Sequence, residues 1–454
     1  MARAPLTCAA AFGALLAARG AWADGGCARP TDAAGIDDYA YGTATVQSFG
    51  NDSVLVWYAT DGAHAVDTTS TRADGVPDDV ADVAQVTADT LARYAIMGYR
   101  APVSDAVNPA CGSNGGDGRL DVYLVHMTGA DGMTVAEAGR CTTAGTASSC
   151  ASFLIVQARF ADLYRTADLG VRTVLPHETF HAVQNAYDAG LDRFWAEGTA
   201  QWAVKTLDPT LTDLERFLPA FFSQTSRALD GPAGGVTSAY LYGAAVWPVF
   251  LTARHGDDIV RAILEQEASA GGPAITATDL ALQAVGSSVA AEFPLFATWN
   301  AATGSRTGVG GYPNGAAYPL SPLSDFTASG GQGITSGLAS FIYFAKLDAP
   351  ADIALDGDPA RNAGMWLPFE SGVARVDQAV PLPARATGNG IIVVSGTTSN
   401  KTDAPFTVSV TTVSTPGNGG GCAVMATGGN PGKTEVGVVV LSCLLYWRRA
   451  GRRR

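Results

Sequence analysis

Two histidines four residues apart flank a glutamate in the run Val174-Leu175-Pro176-His177-Glu178-Thr179-Phe180-His181-Ala182-Val183. On a helix this spacing puts His177 and His181 on one face, a turn apart, where both imidazoles can reach one tetrahedral ion. Glu178 follows the first histidine and faces the open position of such an ion. There it can act as a general base toward water. The ion this donor set implies is Zn2+. The chain has only five histidines, so chance rarely produces the pattern, and its uncharged flanks suit a buried metal helix.

A hydrolytic zinc site needs a third protein ligand. A third histidine is not available in the longer HExxHxxGxxH pattern, because Gln184 and Tyr187 occupy the required positions. The better candidate is Glu197 in Phe194-Trp195-Ala196-Glu197-Gly198-Thr199-Ala200-Gln201-Trp202. A carboxylate among aromatic and small residues is costly unless something compensates its charge, and a metal does so. Asp188 and Asp192 are the competing carboxylates. Gly198 and Ala200 leave room for two helices to approach closely.

The elements that must position these groups are legible as hydrophobic periodicity. Alternation over 53–58, 120–125 and 152–156 predicts strands, and helical spacing follows the Asp74-Gly75-Val76-Pro77-Asp78-Asp79 turn as far as Met97. Helices are expected over Thr173–Tyr187, with Pro176 tolerated if it lies in the first turn. Others are expected over Phe194–Leu207, Leu211–Gln224, Ala239–Arg254, Asp257–Glu267 and Val289–Thr303. From Gly337 to Val413 the texture is β, after a Gly/Ser-rich joint at 321–336. Asp74, Asp78 and Asp79, with Asp67, are candidates for Ca2+, against a reading as a turn whose Pro77 and acidic residues open a helix. His64, His126 and His255 lack ligand spacing and read as structural or exposed.

HExxH followed by a glutamate on the next helix resembles the gluzincins. The motifs DGVPD, GGDGRLDVYL, HETFHAVQ, FWAEGTAQW and AYLYGAAVWPVFL, between Asp74 and about Thr303, resemble a family of secreted myxobacterial zinc metalloproteases. The resemblance implies an α+β zincin-like metallopeptidase domain over 24–320, followed by a smaller all-β sandwich-like domain over 337–413. It also implies zinc held by His177, His181 and Glu197, with peptide bonds as substrate. Gluzincins add an electrophile that steadies the oxyanion. In their aminopeptidases it is the tyrosine of Y-x-x-G, here Tyr240-Leu241-Tyr242-Gly243, which makes Tyr240 the first choice and Tyr242 the reserve. The strand at Phe153–Val156 is expected to pair with an extended substrate. With no G-x-M-E-N motif, an endopeptidase is favoured over an aminopeptidase. A zincin-like surface adhesin or scaffold without turnover is the rival reading.

The ends carry addresses. Residues 1–23 read as a signal peptide, with Arg3, an apolar run and Ala21-Trp22-Ala23. A Gly-rich linker over 414–434 contains Gly421-Cys422. Over 435–454 a short apolar stretch precedes five arginines, which resembles the MYXO-CTERM sorting signal. That resemblance implies sorting machinery acting near Cys422 and retention of the exported protein at the cell surface. The formal charge is −13. Seven arginines belong to the two ends, so the remainder stands near −20, which disfavours nucleic acid as a partner. Cys27, Cys111, Cys141 and Cys150 are the four cysteines between the ends. An even count in an exported chain suggests two disulfides, Cys141–Cys150 and Cys27–Cys111.

Overall fold

The computed structural model describes residues 27–32, 36–106, 115–231, 238–326 and 330–413. The expected signal segment, linker and tail lie outside these residues. The first strands are β1 (Val46–Gly50) and β2 (Val54–Ala59), followed by helix α1 (Asp78–Ile96), β3 (Leu120–Val125), β4 (Gly132–Ala144) and β5 (Ala147–Gln157). These five strands form one sheet in the order β1-β2-β3-β5-β4. β2, β3 and β5 run parallel, while the outer strands are antiparallel to their neighbours.

Successive side chains of a strand face opposite sides, and here both sides are covered. Val56, Val122, Leu154 and Val156 pack under α1 and α2 (Ala167–Asn185), against Val80, Val83, Val171 and Leu175. Tyr123, Val125, Phe153 and Ile155 face the other way and are covered by Tyr39 and Tyr41 of the N-terminal segment. Burial on both faces explains the nearly continuous apolar runs of β3 and β5. Cys141 and Cys150 are disulfide-bonded across β4 and β5. Cys27 is also disulfide-bonded; Cys111, its expected partner, lies outside the described residues.

Among the described residues, seven further helices follow: α3 (Arg193–Leu207), α4 (Asp213–Phe222), α5 (Ser238–Gly243), α6 (Val246–His255), α7 (Asp258–Ala270), α8 (Ala274–Ala284) and α9 (Val289–Ala301). They share a core rich in aromatic rings, including Trp195, Trp202, Trp247 and Phe296. The single helix expected over 239–254 is two helices, interrupted at Ala244–Ala245. Pro176 does not lie in a first turn, because α2 begins at Ala167 with Thr166 capping the Leu169 N–H. Proline removes one N–H from the helix interior, and the Tyr94 hydroxyl donates to the Pro176 carbonyl at 2.8 Å.

The remaining strands are β6 (Ser324–Asp325), β7 (Gly331–Thr335), β8 (Ser340–Gly357), β9 (Asn362–Glu370), β10 (Val373–Ala374), β11 (Val380–Pro381), β12 (Ala384–Gly396) and β13 (Ala404–Thr412). They are joined by hydrogen bonds into one eight-stranded sheet that folds over on itself: Phe341, near the start of β8, meets the ring of Phe406, paired with Gly357 at the end of β8, at 5.3 Å. Ile391 and Val393 of β12 meet Ala297 and Ala301 of α9, while Ile392 and Val394 face Trp366, Phe406 and Val408. Packing on α9 joins this sheet to the helices, and residues up to Val413 fall into one compact unit. The described residues thus form a mixed α+β structure with two sheets. Among the described residues, no single helix is long and apolar enough to cross a membrane.

Candidate metal centre

α2 is buried nearly all round, so its polar residues need partners within the protein. His177 and His181 lie on one face, as the spacing requires, and their Nε2 atoms are 3.1 Å apart. Glu197, from the second turn of α3, brings one carboxylate oxygen to 3.3 Å from His177 Nε2 and 3.5 Å from His181 Nε2. Among the described residues this is the one group of three or more potential metal-binding side chains whose donor atoms converge. A tetrahedral zinc with bonds of about 2.0–2.1 Å requires donors about 3.3 Å apart. The observed triangle has that size and chemistry, so the residues fit the ion.

The orientation of His181 is fixed from behind. The amide nitrogen of Gln184 donates to the Ala196 carbonyl at 2.9 Å and to Thr199 Oγ1 at 2.7 Å. Its oxygen therefore faces His181 Nδ1, at 2.7 Å. Nδ1 must be the protonated nitrogen, and the Nε2 lone pair is left for a cation. Burial lowers the pKa of His181, but hydrogen bonding and charge from Glu197, with help from Glu178 and Gln184, outweigh it and raise the value to about 9. Burial alone would raise the pKa of Glu197, yet the two imidazoles bring it far below the carboxylate range. The two shifts are the two sides of one buried imidazole–carboxylate interaction.

Glu178 is 5 % exposed. Burial pushes its pKa up, while His181, His177 and a hydrogen bond from Thr134 pull it down. Thr134 Oγ1, on β4, lies 2.8 Å from both the Glu178 carbonyl and its Oε2. Gly132 completes the contact. A Cβ there would stand 2.7 Å from Glu178 Cγ and 2.7 Å from Val174 Cγ1, so only glycine lets β4 approach the helix this closely.

The chain matches no protein-family model and no curated protein.

The two tyrosines of Tyr240-Leu241-Tyr242-Gly243 diverge. Tyr240 points away: its hydroxyl lies 3.3 Å from the Ala228 carbonyl, and Arg227 covers its ring. Tyr242 stacks on His177 with ring centroids 5.3 Å apart, and Glu197 is the leading charge acting on its hydroxyl. Burial first, then the charges of Glu197, Glu178 and Asp131, hold its pKa well above the ordinary phenol value, so it is a donor. Of the two, it is therefore Tyr242 and not Tyr240 that lies beside the histidines. Residues two apart on a helix point about 200° apart, and the halt of α5 at Gly243 turns Tyr242 toward the histidines.

Asp188 and Asp192 are not at the centre. Asp188 accepts from the Ser148 and Gly190 N–H groups, and Asp192 from that of Ala274. Gly198 does not face α2; a Cβ there would meet the backbone of Ala244 and Ala245 at 3.4 Å. The Asp67–Asp79 turn does not gather its carboxylates around a point. Asp67 bonds to Thr69, Asp74 to Arg72 and Asp78 to Thr71. That is the helix-opening reading, with Asp78 and Asp79 in the first turn of α1. The Phe153–Val156 strand is flanked by β3 and β4, so its edges are taken. Gln184, Thr134 and Gly132 were not singled out from the sequence; the signal for Gln184 was its place three residues beyond His181.

Proposed function

We propose that the chain is a zinc-dependent peptidase of the zincin-like, gluzincin type. The observation that carries this reading is the triangle of 3.1, 3.3 and 3.5 Å among His177, His181 and Glu197. These three residues would hold the ion, and the chemistry it supplies when bound is polarisation of the scissile carbonyl and acidification of water. Glu178, oriented by Thr134, takes the water proton and passes it to the leaving amine. The Tyr242 hydroxyl donates to the developing oxyanion. Among the described residues β4 pairs only with β5, and it touches Glu178. It is therefore β4, not the strand at 153–156, whose free edge suits an extended peptide, which favours endopeptidase action.

The signal-like N-terminus, the Cys141–Cys150 disulfide and the acidic composition support export. The Cys422 tail supports retention at the cell surface. The test is the metal content of the purified full chain together with cleavage of casein. About one zinc per chain and chelator-sensitive cleavage are expected, with Glu178→Gln retaining zinc and losing cleavage. A folded chain that takes up no zinc overturns the proposal. Zinc without cleavage would favour the adhesin or scaffold reading.

A further inference from the structure

Helix α5 is only six residues long, too short to hold a direction by itself. The bearing of Tyr242 on His177 is therefore set by what packs on the helix. On one side Gly243 lies against α4, where a Cβ would stand 2.8 Å from the Phe217 carbonyl oxygen and 2.8 Å from Phe221 Cβ. Phe217 in turn stacks on Tyr242, with ring centroids 4.8 Å apart. The buried Tyr240 ring lies 5.3 Å from that of Phe221 and carries the Arg227 guanidinium 4.2 Å from its centre. The ring makes these contacts; the hydroxyl, at 3.3 and 3.5 Å from two carbonyls, adds little.

Arg227 belongs to residues 225–229, a segment that the C-terminal sheet holds at both ends. The Ser340 N–H donates to the Thr225 carbonyl at 2.8 Å, and the Leu229 N–H donates to the Leu338 carbonyl at 2.8 Å. Gly337, at φ 69°, admits this approach, since a Cβ there would stand 3.3 Å from Ala228 Cβ. Lys401, between β12 and β13, pairs with Asp230. Ser340 opens β8 and pairs with Ser395 of β12, so the anchor is built into paired strands. Leu229, Leu338 and Tyr240 are buried in one core.

We propose that the C-terminal sheet positions Tyr242 at the metal centre, acting through residues 225–229 and the Arg227–Tyr240 contact. The proposal rests on the peptidase reading, in which Tyr242 serves the oxyanion. A donor of that kind works only when held within about 0.5 Å of its productive place, and a six-residue helix needs outside support to achieve it. Ser340 and Arg227 are thus positioning residues, and the sheet is a working part of the centre rather than an appended module.

The test uses the full, zinc-loaded chain and a fluorogenic peptide. Ser340→Pro removes the N–H that Thr225 accepts, and Arg227→Ala removes the cover on Tyr240. Each should lower kcat about 10-fold, with KM and zinc affinity within about twofold of wild type. In a Tyr242→Phe background the same substitutions should cost less than about twofold, because the group they position is gone. Arg385→Ala, which breaks an exposed ion pair elsewhere on the sheet, should leave kcat unchanged. A folded Ser340→Pro or Arg227→Ala enzyme with wild-type kcat overturns the proposal, and so does a loss that recurs in full without the Tyr242 hydroxyl. If Ser340→Pro does not fold, Arg227→Ala, at a partly exposed side chain, decides. Should the wild-type chain bind zinc and cleave nothing, the peptidase reading fails. The positioning is then read from fluorine NMR of the fluorotyrosine-labelled chain, with the Tyr242 resonance assigned by Tyr242→Phe. A resonance moved or broadened by Arg227→Ala supports the link, and an unmoved one overturns it.

Discussion

Tyr242→Phe isolates the role proposed for the tyrosine beside His177. Phenylalanine keeps the ring, and so keeps the stacks on His177 at 5.3 Å and on Phe217 at 4.8 Å. The fold and the metal should therefore survive. What goes is one hydroxyl, and losing one oxyanion donor costs about 10²–10³ in kcat, or about 2.7–4 kcal/mol. Glu197 is the leading charge acting on the same hydroxyl, so a purely positioning role would appear instead as weaker zinc binding, by roughly 10-fold. Tyr240→Phe is the internal control. Its hydroxyl lies 3.3 and 3.5 Å from two carbonyls, long for an O–H donor, so its loss should change kcat less than about 2-fold. The assay is steady-state cleavage of a fluorogenic peptide, with kcat and KM separated, beside zinc competition. A Tyr242→Phe enzyme within threefold of wild type in kcat, or a Tyr240→Phe enzyme that is crippled, would refute the reasoning.

Three further outcomes are expected. Glu197→Gln keeps the shape of the third ligand but removes its charge; zinc affinity, read by competition with a chromophoric chelator, should fall by more than the 10–100-fold expected for Gln184→Ala. Arg29 is fully buried and meets Asp105 at 2.7 Å and Glu137 at 2.8 Å, with Asp121 closer still. Arg29→Met should cost about 3–5 kcal/mol in denaturant unfolding, and an unchanged midpoint would mean that the network is not a unit. Burial and the neighbouring aspartates push the Glu267 pKa from 4.5 up to about 9. A carboxyl with a higher pKa in the folded state contributes stability that is complete below about 4.5 and lost as pH rises through about 9. The chain should therefore lose stability over that range, by at most about 6 kcal/mol. Glu267→Gln, neutral throughout, should lose that slope.

What could be read from the sequence was local periodicity and paired spacing. His177 and His181 converge because residues four apart on a helix are neighbours, and Glu197 joins them because its uncharged setting needed a compensating partner. The apolar runs at 53–58, 120–125 and 152–156 were legible as strands for the same local reason, although β5 begins earlier, at Ala147. β4 was not: Gly132-Met133-Thr134-Val135-Ala136-Glu137 has little alternation, and it is a strand because β5 pairs with it. α8 escaped notice as an Ala/Thr stretch of weak amphipathicity. The choice between Tyr240 and Tyr242 depends on which way a short helix is turned by its packing on α4. Arg29 and Glu267 are single charges whose burial is decided by elements more than 70 residues away, at Asp105, Asp121 and Asp188. No spacing rule reaches that far.

A short connection joins the helix that carries His177 and His181 to the one that carries Glu197. Only residues 186–192 separate α2 from α3, so the loop has little freedom to correct an error in helix placement. The structure fixes it at several points. Tyr187 Oη accepts from the Arg100 N–H, Asp188 holds the backbone of Ser148, and Asp192 holds the start of α8. Gln184 then crosses directly between the helices, touching His181 on one side and Ala196 and Thr199 on the other. This cross-brace spans the gap that the loop closes, so the distance from Glu197 to both imidazoles is set by contacts within the helix pair. A longer spacer would give the loop more states to lose on ordering and add nothing to that distance. The short spacer is therefore compatible with a three-ligand centre because Gln184, rather than the loop, carries the alignment.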